Sequence, residues 1–268
     1  MCCMYKAIFV LIVIFCLALN AEASYKRNGY RLYNNELIID NELKEGIGID
    51  SVLYRMLYRA QDKEVSINSV YFNTIAMSFE DLNQFFADYY PYLKGIRKIG
   101  LGDYAFDSLP PNLMKYQELK TIGISGRLNQ DIPVAKLNYF APELVNLTKL
   151  SVIQLRECGV NDAGFQLLLT LLPKDLKRIN LHDNNITQIT DDICKFRNLR
   201  YLNLTNNNIK LVTDCIYDLP LLTINTFSIY NISSRYNPLL ENKEYTDEAF
   251  TESIRQEFLK RKSVDEKE

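Results

Sequence analysis

A pattern of apolar residues that recurs after 23 residues constrains the fold of this chain more than any other feature. Residues 176–186 read L-x-x-L-x-L-x-x-N-x-I, and residues 199–209 repeat the same pattern. The L-x-L alternation is typical of a short strand with one buried face. One copy buries too little apolar surface to offset its loss of conformational entropy, so copies must stack on one another. The repeat therefore predicts an elongated solenoid.

Five more segments fit this pattern less regularly. Units that begin at residues 96, 119 and 150 keep the apolar strand positions, and weaker units begin at residues 67 and 222. With the two regular copies they give about seven units over residues 65–232. The ninth position holds Asn184 and Asn207 in the regular copies, Cys158 in the preceding unit, and Tyr104 and Arg127 in two earlier units. The repeats therefore make up more than half of the chain.

The pattern resembles the leucine-rich repeat family. The resemblance implies an α/β horseshoe with a parallel sheet on its concave side and helices or 3₁₀ turns on its convex side. It also implies that Asn184 and Asn207 satisfy backbone groups of the turn after each strand, with Cys158 as a known variant. Tyr104 and Arg127 depart from the family pattern at this position.

Helical signals are found in the longer units and near both ends of the chain. Ser78 and Asn161 are N-cap residues before apolar residues at helical spacing, and Pro173 closes the second of these segments. The 23-residue units are too short for a long helix and predict a turn or a short 3₁₀ segment. We predict caps over residues 24–64 and 233–268, because terminal repeats expose core.

Each cap is expected to contain a helix that covers the open end of the solenoid. One begins at Asp50, and the other begins at Thr246 with an apolar stripe that includes Phe258. Either could instead be an amphipathic helix that binds a partner. In the helix expected at the carboxyl end, acidic residues occupy the first turn and basic residues the later turns, which suits the helix dipole.

The first 23 residues have the composition of a secretory signal peptide. Lys6 precedes a 13-residue apolar run, and residues 21–23 give a small-x-small cleavage pattern that ends at Ala23. An uncleaved anchor is the alternative. No later segment has 18 apolar residues, so we predict a secreted protein without stable membrane insertion.

Composition argues against several classes of function. A net charge of −2 and a pI near 5.7 do not suit a general nucleic-acid binder. The single histidine, His182, precludes a multi-histidine metal site, and the cysteines form no CxxC pair. Neighbouring strand residues point to opposite faces, so we expect His182 and Asp183 not to face each other. The sequence predicts no enzyme, no metal and no cofactor.

Two groups of residues are candidates for covalent modification. Cys194 and Cys215 lie on the convex side of neighbouring units and could form a disulfide in an oxidising compartment, although their repeat positions differ. Cys158 is expected to be a buried structural thiol. Four sequons could carry N-linked glycans: Asn146, Asn185, Asn203 and Asn231.

The resemblance implies that a partner binds the concave face of the sheet. On that face, the second and third positions of the units form a basic stripe, and Asp103, Glu157 and Asp183 form a thinner acidic one. Such a dipolar groove would orient a partner with an acidic ridge, although ordinary solvated charge is the alternative. A bare region around Gly123, Ser125 and Gly126 would admit a partner backbone. The residues expected to contact a partner are Arg97, Lys98, Lys120, Gln154, Arg156, Lys177, Arg178, Asn180, His182, Arg200, Tyr201 and Asn203.

The sequence therefore predicts a secreted, monomeric protein that binds another protein and is not an enzyme. One alternative is a coat or matrix component that associates with copies of itself. Others are a membrane-anchored or intracellular scaffold, and an enzyme with an unrecognised site.

Overall fold

A computed structural model describes residues 25–27, 30–40, 50–75, 77–129, 132–133, 135–223, 225–229 and 248–265. Its centre is a ten-stranded sheet in the order β1-β2-β3-β4-β5-β6-β9-β10-β12-β14. The pairings from β3 to β14 are parallel, and the strand order follows the chain. This arrangement confirms the predicted solenoid. The sheet strands are β1 (Tyr25–Arg27), β2 (Tyr30–Tyr33), β3 (Glu36–Ile39), β4 (Ser69–Phe72), β5 (Lys98–Tyr104), β6 (Thr121–Gly126), β9 (Val152–Arg156), β10 (Arg178–Asn180), β12 (Tyr201–Asn203) and β14 (Phe227–Ser228).

Strand alternation separates the two faces of the sheet as the repeat pattern predicts. Ile153, Ile179 and Leu202 lie side by side in register and are fully buried. The next residues, Gln154, Asn180 and Asn203, are half-buried on the opposite face. This opposite face is the concave face.

The amino-terminal segment contains three strands besides the predicted helix that begins at Asp50. β1, β2 and β3 form an antiparallel meander, and the turn between β2 and β3 places Asn34 and Asn35 at φ 48° and 66°. Positive φ at both central residues is typical of a type I′ hairpin turn. β3 then pairs in parallel with β4, so the parallel ladder begins before the seven units that the sequence pattern identified.

Helices and 3₁₀ segments occupy the other side of the sheet. The helices are α1 (Asp50–Asp62), α2 (Phe79–Asp88), α3 (Tyr90–Leu93), α4 (Asp162–Leu171) and α5 (Glu248–Asp265). Ser78 and Asn161 cap α2 and α4, as predicted, by accepting hydrogen bonds from the N–H groups of Asp81 and Gly164. α1 buries Leu53 and Leu57 in the core, and α5 buries Phe258.

Four repeats use 3₁₀ segments instead of a long helix. These are η1 (Pro111–Lys115), η2 (Pro142–Asn146), η3 (Asp191–Lys195) and η4 (Asp214–Asp218). The last two belong to the 23-residue units, where the sequence predicted a slim convex side. Two small ribbons complete the structure: β7 (Leu128–Asn129) pairs with β8 (Ile132–Pro133), and β11 (Gln188–Ile189) pairs with β13 (Leu211–Val212).

The asparagine at the ninth position joins each turn to its neighbour. Asn184 is 1% exposed, and its Oδ1 accepts hydrogen bonds from the N–H groups of Cys158 (3.2 Å) and Val160 (3.0 Å). Its Nδ2 donates to the carbonyls of Leu155 (2.7 Å) and Leu181 (2.9 Å). Because these groups belong to two successive repeats, one buried amide holds both turns together.

The two departures from this pattern are accommodated in different ways. The Tyr104 ring is buried, and its hydroxyl donates to the carbonyl of Ser108. Arg127 reaches back instead and donates from Nη2 to the carbonyl of Ile75 at 2.9 Å. Both side chains therefore satisfy backbone carbonyls of irregular segments, although neither is an asparagine.

Candidate interaction surface on the concave face

The predicted basic stripe forms two groups of three cations. Backbone hydrogen bonds connect Arg97, Lys120, Ser151, Lys177 and Arg200 in one row across the strands. Ser151 and, in the next row, Val152 interrupt the positive charge. The amino-terminal cluster therefore consists of Arg97, Lys98 and Lys120, and the carboxyl-terminal cluster consists of Lys177, Arg178 and Arg200, all six with exposed side chains.

The amino-terminal cluster has a carboxylate nearby. Glu118 pairs with Lys149, and this hydrogen bond, followed by the charges of Lys149, Arg97 and Lys120, lowers the pKa of Glu118. Part of the positive charge at this cluster is therefore balanced within the protein.

The carboxyl-terminal cluster has an aromatic neighbour. The guanidinium carbon of Arg178 lies 4.6 Å from the centroid of the Tyr201 ring, in a cation–π contact. Arg178 and Tyr201 are opposed in register on β10 and β12. Among the described residues, no carboxylate forms an ion pair with Lys177, Arg178 or Arg200.

The predicted acidic residues are held by an unusual backbone conformation. Asp103, Glu157, Asp183 and Asn206 have φ values of 49°, 57°, 58° and 56°. They occupy the eighth position of four units, where the chain turns away from the strand. Aspartate and asparagine adopt this left-handed conformation more readily than most other non-glycine residues.

Two of these acids belong to a cluster of opposite charges. Arg156 Nε lies 2.9 Å from Glu157 and 3.8 Å from Asp183. Asp183 also accepts a hydrogen bond from Asn206 Nδ2 at 2.8 Å. Arg156 therefore offsets part of the negative charge of Glu157 and Asp183.

His182 belongs to the same cluster, and here the prediction was wrong. Its Nδ1 contacts the carboxylate of Asp183, because the left-handed backbone at Asp183 ends the strand alternation. Burial of Asp183 would raise its pKa, but the close contact with His182, the hydrogen bond from Asn206 and the charges of His182 and Arg156 outweigh burial and lower it. The pair thus stabilises an ionised carboxylate at the rim of the sheet.

The glycine-rich region is only partly open. A side chain at Gly126 would collide with the backbone of Glu157, since its Cβ would lie 1.8 Å from the Glu157 carbonyl oxygen. At Gly123, by contrast, the nearest atom to a Cβ would be Gln154 Oε1 at 3.6 Å. Gly126 is therefore required by the packing of neighbouring strands and is itself buried, which leaves Gly123 and Ser125 as the bare part of the face.

Tyr71 is a further residue of the concave face and was not among the predicted contact residues. Its ring covers Gly100, where a Cβ would lie 2.5 Å from Tyr71 Cδ1. The alternation of β4, with Val70 and Phe72 buried, could have indicated that Tyr71 faces outward.

The predicted modification sites lie in different environments. Asn146 and Asn185 are exposed, whereas Asn203 is half-buried and accepts hydrogen bonds from Thr205 N (2.9 Å) and Oγ1 (2.5 Å). Asn231 lies outside the described residues.

The cysteines also differ from one another. A disulfide joins Cys194 of η3 to Cys215 of η4, with 5.8 Å between their Cα atoms. Asp191 lies beside the two sulfurs, but sulfurs bonded to each other are not thiolate ligands for a metal. Cys158 is a free, buried thiol, and burial raises its pKa.

A family model described as leucine-rich repeat matches residues 174–224, which include the two regular units. This segment therefore consists of leucine-rich repeats, and the stacked parallel strands give the chain the fold of a leucine-rich-repeat solenoid. The stacked parallel strands and the buried asparagines have the geometry expected for these repeats. A comparison with curated proteins finds no match.

Two solved structures are distantly similar to this chain. An internalin (inlF) from Listeria monocytogenes is 14% identical, with a TM-score of 0.39, and the match covers 62% of this chain and 47% of the internalin. TLR13, solved in complex with the single-stranded RNA ssRNA13, is 13% identical, with a TM-score of 0.42 over 67% of this chain and 30% of TLR13. The chain thus spans less than half of either structure, and neither similarity assigns it a ligand. Within the described residues, no helix has the length and apolar character needed to cross a bilayer.

Proposed function

We propose that this leucine-rich repeat protein binds another protein through its concave face and does not catalyse a reaction. The observation that carries the proposal is the carboxyl-terminal cluster, where three exposed cations and Tyr201 lie on, or directly before, two neighbouring strands. Arginine and tyrosine are enriched among the residues that dominate protein interfaces.

The concave face has the other features that an interface requires. Gln154, Asn180 and Asn203 form a row of amide side chains between the two charged rims. The underlying strands are fixed by a buried core, so binding would require little reorganisation of the backbone. These features support recognition of a folded partner rather than of a small molecule.

We further propose that the protein is secreted as a monomer after cleavage behind Ala23. The apolar leader and the disulfide between Cys194 and Cys215 support secretion, since disulfides persist mainly in oxidising compartments. Expression of the full chain in a secreting host should release a protein that begins at Ser24. Mass spectrometry of the released protein before and after reduction would test the cleavage and the disulfide, and a retained leader would contradict secretion.

The binding proposal is tested by capture of partners from the native surroundings with cross-linking. The parent should capture a protein that Lys177→Glu/Arg178→Glu loses, because the reversal removes two cations and adds two anions on the concave face. Lys94→Glu/Lys115→Glu makes the same charge change at exposed convex positions and is the matched control. Circular dichroism should show that all three proteins are folded.

Two results would contradict the proposal. Equal capture by both double variants would mean that the basic stripe is not the binding surface. Recovery of the protein itself alone, equally with all variants, would favour the self-associating structural role.

A further inference from the structure

The three cations of the carboxyl-terminal cluster lie on, or directly before, two neighbouring strands. Arg178 and Tyr201 are directly opposed on β10 and β12, and parallel strands lie about 4.8 Å apart. Lys177 and Arg200 precede them, and the N–H of Arg200 donates to the carbonyl of Lys177 at 2.8 Å. The positive charge is therefore concentrated within about one strand spacing.

The Tyr201 ring positions the guanidinium of Arg178. Stacking at 4.6 Å occupies one face of the guanidinium, but its N–H donors lie in the plane of the group and remain available. A carboxylate binds such a planar fork with two parallel hydrogen bonds. Arg178 is thus prepared for a carboxylate that the described part of the protein does not supply.

Several other charged groups of the concave face have opposite charges beside them. Arg97 and Lys120 act on Glu118, and Glu157 and Asp183 surround Arg156. Like charges opposed on neighbouring strands destabilise a sheet. The free protein bears this repulsion at the carboxyl-terminal cluster, and a bound anionic group would remove it.

We propose that Lys177, Arg178 and Arg200 form a subsite for two neighbouring carboxylates in an acidic segment of the partner protein. Arg178, held by Tyr201, binds one carboxylate through its fork, and Lys177 and Arg200 bind the second. This inference rests on the proposed function and specifies the chemistry of the partner.

The test uses fluorescein-labelled peptides of stated sequence and the purified protein. The probe is Gly-Ser-Glu-Ser-Glu-Ser-Gly. In the first control peptide, Gln replaces both Glu residues. In the second, a single phosphotyrosine takes the place of the two Glu residues. Fluorescence anisotropy at low ionic strength measures the Kd. The Glu peptide should bind the parent, the Gln peptide should not, and added salt should weaken binding.

Variants distinguish binding at the subsite from a general effect of positive charge. Arg178→Lys keeps the charge but removes the fork, and should weaken binding about tenfold. Tyr201→Leu keeps every charge and should weaken binding about three- to fivefold. Lys177→Gln/Arg200→Gln should abolish binding, whereas Arg97→Gln/Lys98→Gln removes the same charge elsewhere on the face and should leave the Kd nearly unchanged.

Several outcomes would overturn the subsite. For the variants, they are an equal increase in Kd in the two double variants and an unchanged Kd in Tyr201→Leu. For the peptides, they are binding of the Gln peptide, binding of the phosphotyrosine peptide alone, or no binding of any peptide. The proposed function would survive these results if partner capture remained sensitive to Lys177→Glu/Arg178→Glu. The proposed function itself would be contradicted if Lys177→Glu/Arg178→Glu captured the partner as well as the parent does.

Discussion

Single buried residues fix the turns that give each repeat its shape. Asn184 and Asn207 pair backbone groups that would otherwise be buried without partners, and residues such as Asp183 reverse the chain just before them. A buried donor or acceptor that loses its partner costs about 1–3 kcal/mol. The polar interior of the turns therefore contributes to stability alongside the apolar core.

Replacement of Asn184 by alanine should lower the free energy of unfolding by about 3 kcal/mol, because it leaves two buried N–H groups unpaired. Urea unfolding followed by circular dichroism would measure the change. Asn185→Ala alters the exposed neighbour and should stay within about 0.5 kcal/mol of the parent. Similar losses for the two variants would show that the buried amide has no special role.

At this scale the sequence predicted the positions of the bridging asparagines but misplaced a contact. The pattern showed where Asn184 stands in its unit, and the family resemblance supplied its role. The contact between His182 and Asp183 was missed because strand alternation was assumed to continue past residue 182. The positive φ of Asp183 reverses the chain there, and the residue types next to Asp183 do not indicate this conformation.

Secondary-structure elements close the ends of the solenoid and complete its core. α5 covers the last repeat through Phe258, whose ring centroid lies 4.9 Å from that of Tyr217 and 5.3 Å from that of Phe227. Arg261 adds a cation–π contact with Tyr217 and a hydrogen bond to Glu257. These contacts support the predicted capping role of this helix.

Truncation of Phe258 to alanine should cost about 3–5 kcal/mol, since the ring is fully buried between the helix and the last repeat. Leu259→Ala is the matched control, because Leu259 is 45% exposed on the same helix. Thermal unfolding would compare the two proteins. If both variants lost the same stability, α5 would not be acting as a cap.

The sequence predicted the helices of the repeats better than the amino-terminal edge. Caps and apolar spacing identified α2 and α4, because both signals are local. The meander of β1, β2 and β3 was not predicted, since strands of three or four residues carry too little periodicity to distinguish them from loops.

The whole molecule depends on contacts between neighbouring repeats. The buried residues form one continuous hydrophobic core from Tyr30 to Phe258 within the described ranges. In such a solenoid, stability is approximately a sum over repeats and their interfaces. Damage to one repeat should therefore spread to its neighbours before it reaches distant ones.

Leu181→Asp places a carboxylate at a fully buried position and should cost at least about 4 kcal/mol. Hydrogen exchange should show lost protection in β9, β10 and β12, while β3 and β4 remain protected. Asn180→Asp introduces the same group at a half-buried position on the concave face of the same strand and should leave protection unchanged. Loss of protection in β3 and β4 to the same extent would contradict the nearest-neighbour account.

The sequence alone determined the repeat, its inward-facing residues and the slim convex side of the last units. A regular pattern suffices for these features because each repeat meets a copy of itself in the same register. Only the tertiary structure decided which concave charges are neutralised. Partners such as Arg156 and Asp183 come from neighbouring strands, 27 residues apart in the chain, and their contact depends on register and on the backbone conformation at the turn. The same structure left Lys177, Arg178 and Arg200 without a carboxylate in the described residues, which is why the binding proposal centres on them.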